Sequence, residues 1–279
     1  MIRDGKTVGS GRTEGTPESE IISMMVGRDV SDLYPRSVRT PGEPILEIHD
    51  LAGKERPKKA SLTLHRGEVV GIAGVVGAGR TEMLRSIFGL DPVQNGTVKV
   101  ASNEDHGASV AQRWRQGVGM VSEDRKTEGL ALDLSIAENL TFTKLPIIIK
   151  PQKIKEDAET WSDRMAVKRR SVDQSIGELS GGNQQKVAIA RLLYHDADVL
   201  LLDEPTRGID VGSKAGIYAT IDALAVEDKA VLVVSSYLPE LLGICDRIAV
   251  MSRGVLGPAR PVAELDEREI MRQATGEAV

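Results

Sequence analysis

The sequence predicts an α/β domain built on a mainly parallel core sheet. Short continuous apolar runs at Val69–Ala73, Val118–Val121, Val199–Leu202 and Ala230–Val234 read as strands buried on both faces. Helical patterns separate these runs, as crossover connections between parallel strands require. A Gly-rich turn, Gly74–Gly79, joins the first run directly to a helix. The 279 residues allow one large domain or two small ones, enough for a sizeable core. With 41% hydrophobic and 28% charged residues, the chain has globular rather than disordered composition.

The opening does not read as the start of a domain. Met1–Gly9 gives a strand end and a turn, and Thr16–Gly27 a short helix with Pro17 in its first turn and Ile21, Ile22, Met24 and Met25 on one face. Val30–Pro44, with three prolines, reads as a linker. From Ile45 the pattern is regular. Ile45–His49 and Ala60–Leu64 alternate as strands around a polar bend at Gly53–Lys59, and form an antiparallel addition at the edge of the main sheet. Helices are expected over Arg80–Gly89, Ser109–Arg115, Leu134–Leu140, Gln152–Val167, Gln184–Leu193, Val211–Leu224, Pro239–Ile244 and Asp266–Ala274. Thr97–Val100 and Arg247–Met251 complete the strands, and Glu123–Gly129 is a charged loop.

Several function classes fall away on composition. A formal net charge of −5 argues against a mainly electrostatic nucleic-acid binder, and 3% aromatics against base-stacking platforms. A single cysteine excludes a disulfide framework. No apolar run reaches transmembrane length and no signal-peptide region opens the chain, so a cytoplasmic setting is expected. The four histidines have no metal-ligand spacing; Cys245, Trp161 and Met165 read as core, and Arg113, Arg115, Arg125 and Lys126 as a solvated face.

The chemistry gathers at two places. Gly74-Val-Val-Gly77-Ala78-Gly79-Arg80-Thr81-Glu82 follows a buried strand and opens a helix, the setting of a phosphate-binding loop. Glycines let backbone N–H groups face an anion, and the helix N-terminus adds positive potential. Thr81 is the expected Mg²⁺ ligand. Arg80 stands where a Lys is usual, and its planar fork does not reproduce a compact ammonium between phosphates. Asp203-Glu204 closes the apolar run Val199–Leu202. Asp203 is placed to act on Mg²⁺ through water, and Glu204 to polarise a water for attack on the γ-phosphate.

Leu179-Ser180-Gly181-Gly182-Asn183-Gln184-Gln-Lys-Val-Ala-Ile-Ala-Arg191 resembles the signature sequence of ATP-binding-cassette ATPases, and Leu200–Thr206 matches the second nucleotide motif of that family. The resemblance runs from Ile45 to about Met251. Gly77–Glu82, Ser122–Lys126 and Asp203–Asp210 look closer still to the second cassette of the tandem ATPase subunits of bacterial monosaccharide importers. It implies ATP and Mg²⁺ as cofactors and a P-loop NTPase fold with an antiparallel edge subdomain and a helical subdomain at about 130–180. Residues 1–44 would be the tail of a preceding cassette and its linker, 45–266 the cassette, and 267–279 a C-terminal helix and tail. The chain would then be one piece of a longer or divided polypeptide.

By the same resemblance Glu204 is the catalytic carboxylate. Glu123 stands at the place of a Gln that couples nucleotide to the membrane subunit, and Ser236 at the place of a switch histidine. Asp210 belongs to a loop that communicates between cassettes. Ser180, Gly181, Gly182, Asn183 and Gln184 would close over ATP held by the opposite cassette. An adenine-stacking aromatic is not evident between Ile45 and Gly67. Implied partners are the first cassette, membrane permease subunits met through the helical region and Leu134–Leu140, and indirectly a sugar-binding protein, at the cytoplasmic face of the membrane. No nucleic-acid partner is expected. Arg80, Glu123 and Ser236 depart from the family pattern while the signature is intact. The expectation is a degenerate site of the chain's own beside a competent signature face. The alternative is a half-cassette that binds nucleotide without hydrolysing it; a cassette acting on DNA or the ribosome fits the charge poorly.

Overall fold

The computed structural model describes residues 2–3, 6–7, 10, 15 and 33–276. The helix expected over Thr16–Gly27 lies outside these described residues. Strands β1 (Ile2–Arg3) and β2 (Lys6–Thr7) pair antiparallel.

Two sheets make the body. Strands β3 (Pro44–Gly53), β4 (Ala60–His65), β6 (Val93–Val100) and β7 (Asn103–Asp105) form an antiparallel sheet in the order β4-β3-β6-β7. The first two strands therefore do not extend the core sheet; they form a sheet of their own with two later strands. In the core sheet β11 (Arg247–Ser252), β5 (Val69–Ala73), β10 (Ala230–Val234), β9 (Val199–Asp203) and β8 (Val118–Val121) are neighbours in that order and parallel throughout. The short strands β12 (Val255–Leu256) and β13 (Arg260–Pro261) add antiparallel to β11.

Alternation along each core strand divides the apolar interior in two. Val231 and Val233 face one layer, Ala230, Leu232 and Val234 the other, because successive side chains leave opposite faces. The second layer holds helix α1 (Arg80–Phe88), through Met83, Leu84, Ile87 and Phe88, together with the antiparallel sheet; helix α2 (Val110–Arg115) lies beside it. The first layer holds a helical subdomain of α3 (Ile136–Thr141) and α4 (Pro151–Arg164), then α5 (Gly181–Tyr194), α6 (Val211–Val226), α7 (Leu238–Ile244) and α8 (Glu267–Thr275). Ser135 opens α3 with a reciprocal capping box to Glu138, which fixes where that helix starts. Helix α8, capped by Asp266, buries Ile270 and Ala274 in the same core.

Residues 33–43 are docked. The Tyr34 ring centre lies 5.1 Å from that of Tyr218, and Ser37 and Arg39 both bond Asp222 of α6, with Arg39 also reaching Asp246.

A further expectation is corrected. Arg113 is not solvated: it is fully buried and donates to both Asp105 carboxylate oxygens, at 2.7 and 2.8 Å, and to the Ile87 carbonyl at 2.7 Å. Of the apolar positions in Leu134–Leu140, Leu134 is exposed. Ile136, Ala137 and Leu140 are core, and the groove beside them is walled by Leu90, Trp114, Phe142 and Arg191.

Candidate functional site: the phosphate loop, the acidic strand end and the signature helix

Strand β5 ends at Ala73, and the chain turns through Gly74–Gly79 into α1. Gly79 caps the helix with φ of 110°, in the left-handed region that a side chain resists. Gly79 brings no side chain to cap α1, and among the described residues no side-chain hydrogen bond to its first-turn N–H groups is found. They are donors left for an anion at a helix start. A cavity of about 460 Å³ opens there, lined by Val76–Glu82, Glu123, Glu204, Arg207 and Ser236. Six sequence-predicted residues of the loop (Gly77, Ala78, Gly79, Arg80, Thr81 and Glu82) thus share one cavity with Glu123, Glu204 and Ser236.

Asp203 ends β9 fully buried, and among the described residues neither carboxylate oxygen has a hydrogen-bond partner. Burial raises its pKa to about 6; neighbouring Glu204 pushes the same way, while Thr81 and Arg80 pull against it. A buried carboxylate without donors beside a threonine hydroxyl suits a hard divalent cation with retained water. Thr81 and Asp203 therefore fit Mg²⁺.

Glu204 follows with φ of 46°, a left-handed conformation for a residue bearing a side chain, and its N–H donates to the Val234 carbonyl at 2.9 Å. That turn sends Glu204 away from Asp203 toward the phosphate loop. There it meets Arg80, whose Nη2 lies 3.6 Å from Glu204 Oε1. Arg80 Nη1 donates to the Ser235 carbonyl at 2.7 Å. Burial holds the Arg80 guanidinium below its ordinary pKa, against the pull of Glu204 and Asp203. The guanidinium thus faces the acidic strand end and the loop after β10. Ser236, beside Ser235, is exposed at the cavity rim.

Three groups escaped the sequence reading. Arg207 pairs with Glu123 across the cavity. Arg125 reaches the carbonyls of Arg207 and Gly208 at 3.2 and 3.4 Å, so it bridges two loops and is no solvated face. Glu240, buried in α7, accepts from Ser235 Oγ at 2.6 Å and Thr206 Oγ1 at 3.0 Å, and burial raises its pKa. The motif Ser122–Lys126 contained Arg125; nothing in the pattern marks Glu240.

The signature lies elsewhere. Ser180 precedes α5 and is exposed, and its Oγ accepts from Asn183 Nδ2 at 2.9 Å. Ser180 and Asn183 line a separate cavity of about 370 Å³ with Lys168, Arg169 and Arg170. Gly182 is packed so closely that a Cβ there would sit 2.3 Å from Ser213 Oγ. That hydroxyl is held by Asp210, which caps α6. Gln184 turns inward and donates to the carbonyls of Ile176 and Leu179, both at 3.2 Å.

The comparisons bear on this geometry. Residues 57–207 match the family described as ABC transporter. A ribose import ATP-binding protein of Rubrobacter xylanophilus is 41% identical over 279 residues, covering 99% of this chain and 56% of that protein. A galactose/methyl galactoside import ATP-binding protein of Pasteurella multocida is 39% identical, covering 98% and 56%. The chain thus spans little more than half the length of these relatives. A nucleotide-free ATP-binding cassette from an ABC transporter superposes with a TM-score of 0.69 at 20% identity, over 82% of this chain and 94% of that one. The ADP form of another such cassette gives 0.68 at 21% identity, over 84% and 96%.

Proposed function

The chain belongs to the ABC transporter family of ATP-binding cassettes, and on that premise we propose that it is the energy-coupling ATPase module of a bacterial monosaccharide importer. The reading is of a second-cassette type whose own phosphate site is weak and whose signature face completes the site of another cassette. The observation that carries it is the separation of two cavities: the phosphate loop and Glu204 line one, Ser180 and Asn183 another. One chain does not bring its signature to its own phosphate loop, so a complete site needs a second cassette.

The residues have distinct tasks. N–H groups of Gly77–Thr81 hold the β-phosphate. Thr81 and Asp203 would hold Mg²⁺, which when bound would supply positive charge to offset that of the phosphates. Glu204 orients the attacking water and takes its proton at a carboxylate oxygen, once that oxygen is clear of Arg80. Across the dimer, Ser180 Oγ and the start of α5 face the γ-phosphate of the partner's nucleotide. Asp210, next to the signature through Ser213, passes closure between cassettes.

Membrane subunits would seat in the groove of about 360 Å³ walled by Leu90, Trp114, Phe142 and Arg191, where Leu90 and Phe142 stand exposed. None of the described helices is long and apolar enough to cross a membrane, which is compatible with a peripheral place at the cytoplasmic face. A sugar-binding protein would act through those subunits. The Arg80–Glu204 pair favours a second reading, a half-cassette that binds nucleotide without hydrolysing it, because the proposed base is already engaged.

Steady-state phosphate release tests the proposal. The chain alone should turn over well below about 1 per second, the low end of ordinary enzymes. Paired with an intact first cassette and membrane subunits, turnover should rise steeply. Fast release by the chain alone, independent of its concentration, would overturn the proposal; no rise on pairing would favour the non-hydrolysing reading.

A further inference from the structure

Arg80 lines the phosphate-loop cavity, but its guanidinium is directed to Glu204 at 3.6 Å and to the Ser235 carbonyl at 2.7 Å. A second arginine lies against the same loop. Arg56 sits in the bend between β3 and β4, and that bend is pinned: Gly53 N–H donates to the Pro57 carbonyl at 2.9 Å, and the N–H groups of Lys58 and Lys59 both donate to the Gly254 carbonyl.

The Arg56 stem packs tightly over Gly79 and lies in ordinary contact with Gly254. A Cβ built on Gly79 would lie 3.1 Å from Arg56 Cβ and 3.3 Å from its Cδ, and one on Gly254 would lie 3.6 Å from its Cγ. The guanidinium extends past Gly79 to Gly77, where Nη1 lies 3.6 Å from the position a Cβ would take. Arg56 is half-buried, and among the described residues it has no ion-pair partner, unlike Arg80 with Glu204 and Arg207 with Glu123. A partly desolvated guanidinium with no acid of its own, beside a loop of anion-facing N–H groups, suits a phosphate, whose oxygens match its planar fork.

We propose that Arg56 is the phosphate-facing cation of this site, contacting the polyphosphate chain of a bound nucleoside di- or triphosphate in place of the diverted Arg80. The proposal rests on the reading of Gly74–Thr81 as a nucleotide site. It places recognition on the β3–β4 bend, through charge rather than base stacking.

The test is calorimetric titration of the full chain and of Arg56→Ala, Arg56→Gln and Arg56→Lys, with Mg-ATP, Mg-ADP, adenosine and tripolyphosphate. Gln keeps most of the stem packed against Gly79 if Ala proves unstable, and thermal melting without ligand reports folding. Loss of one charged hydrogen-bonding group should weaken ATP and tripolyphosphate by about tenfold. Adenosine should be unaffected, and Lys should restore most of the loss. Unchanged ATP affinity in folded Ala or Gln variants would overturn the assignment. So would an equal loss for adenosine without rescue by Lys, which would mark Arg56 as a base contact. Failure of the unmodified chain to bind either ATP or tripolyphosphate would instead remove the underlying reading of the loop.

Discussion

At the signature end of the chain, polar groups are left facing outward. Ser180 is exposed before α5, its hydroxyl steadied by Asn183, and Gly182 lets the helix start rest directly on the capped N-terminus of α6. At the phosphate-loop end the corresponding groups satisfy one another. Arg80 faces Glu204 and the Ser235 carbonyl, Arg207 faces Glu123, and Ser235 with Thr206 closes on Glu240. On the proposed reading, a partner's nucleotide would meet an open helix start at the first end. At the second, nucleotide would on that reading compete with a largely buried ion pair, and separating such a pair exposes each charge to the desolvation its partner had offset. Binding and catalysis read only the difference between those states. The same fold can therefore carry one ready surface and one reluctant one.

The comparison breaks most visibly at Ser180. In a complex assembled with an intact first cassette and the membrane subunits, Ser180→Arg would set a long cation where the proposal has the opposite γ-phosphate close on a hydroxyl. ATP turnover should fall by about 100-fold or more, the scale of losing an oriented transition-state donor, while this chain's own loop is untouched. Circular dichroism and assembly by gel filtration serve as the fold control. Turnover within a few-fold of the unmodified complex would mean that the signature face does not serve the competent site.

Thr81→Ala makes the matching cut at the other end. It removes one of the groups that fit Mg²⁺ and leaves the signature alone. Turnover of the complex should drop by less than about tenfold, with the clearer effect on retention of nucleotide in Mg²⁺. Measured side by side, a larger loss from Thr81→Ala than from Ser180→Arg would reverse the division of labour.

What the sequence made legible follows the same divide. Apolar runs such as Val69–Ala73 and Ala230–Val234 carry their burial in their own composition, and both strands lie where they were expected. The glycines of the loop are local signals, and the helices expected from Ser109 and Asp266 start one residue later, with those two residues as their caps. Strand β7, Asn-Glu-Asp, has no apolar residue to announce it; pairing with β6 alone makes it a strand. Arg113 reads as surface because its partner Asp105 lies across a turn of unpredictable path. The least legible feature was the direction of a side chain. The Arg80 position could be read from the loop, but not that its fork would turn to Glu204, because that depends on where β9 and β10 end relative to α1.

That direction supplies the smallest and most informative change. In Arg80→Lys the planar fork becomes a single ammonium, which cannot keep the Ser235 carbonyl and approach Glu204 in the two-pronged way that Arg80 does. If the arginine fork is what holds the cation away from the loop, lysine frees it to turn toward bound phosphates, and Mg-ATP affinity of the isolated chain should rise by a few-fold. The Glu204 carboxylate, released from its partner, should also become available to water, so phosphate release by the assembled complex should rise slightly, and that small rise should persist when Ser180→Arg is added, because Ser180 serves the opposite site on this reading. Titration calorimetry on the isolated chain reads the first effect and steady-state release the second. Equal affinity in both forms would show that the shape of the cation does not limit this site. Tighter binding with no gain in release would show that the Arg80–Glu204 pair governs nucleotide entry alone, and that the departure at Ser236, which lacks an imidazole's reach and charge, sets the chemistry.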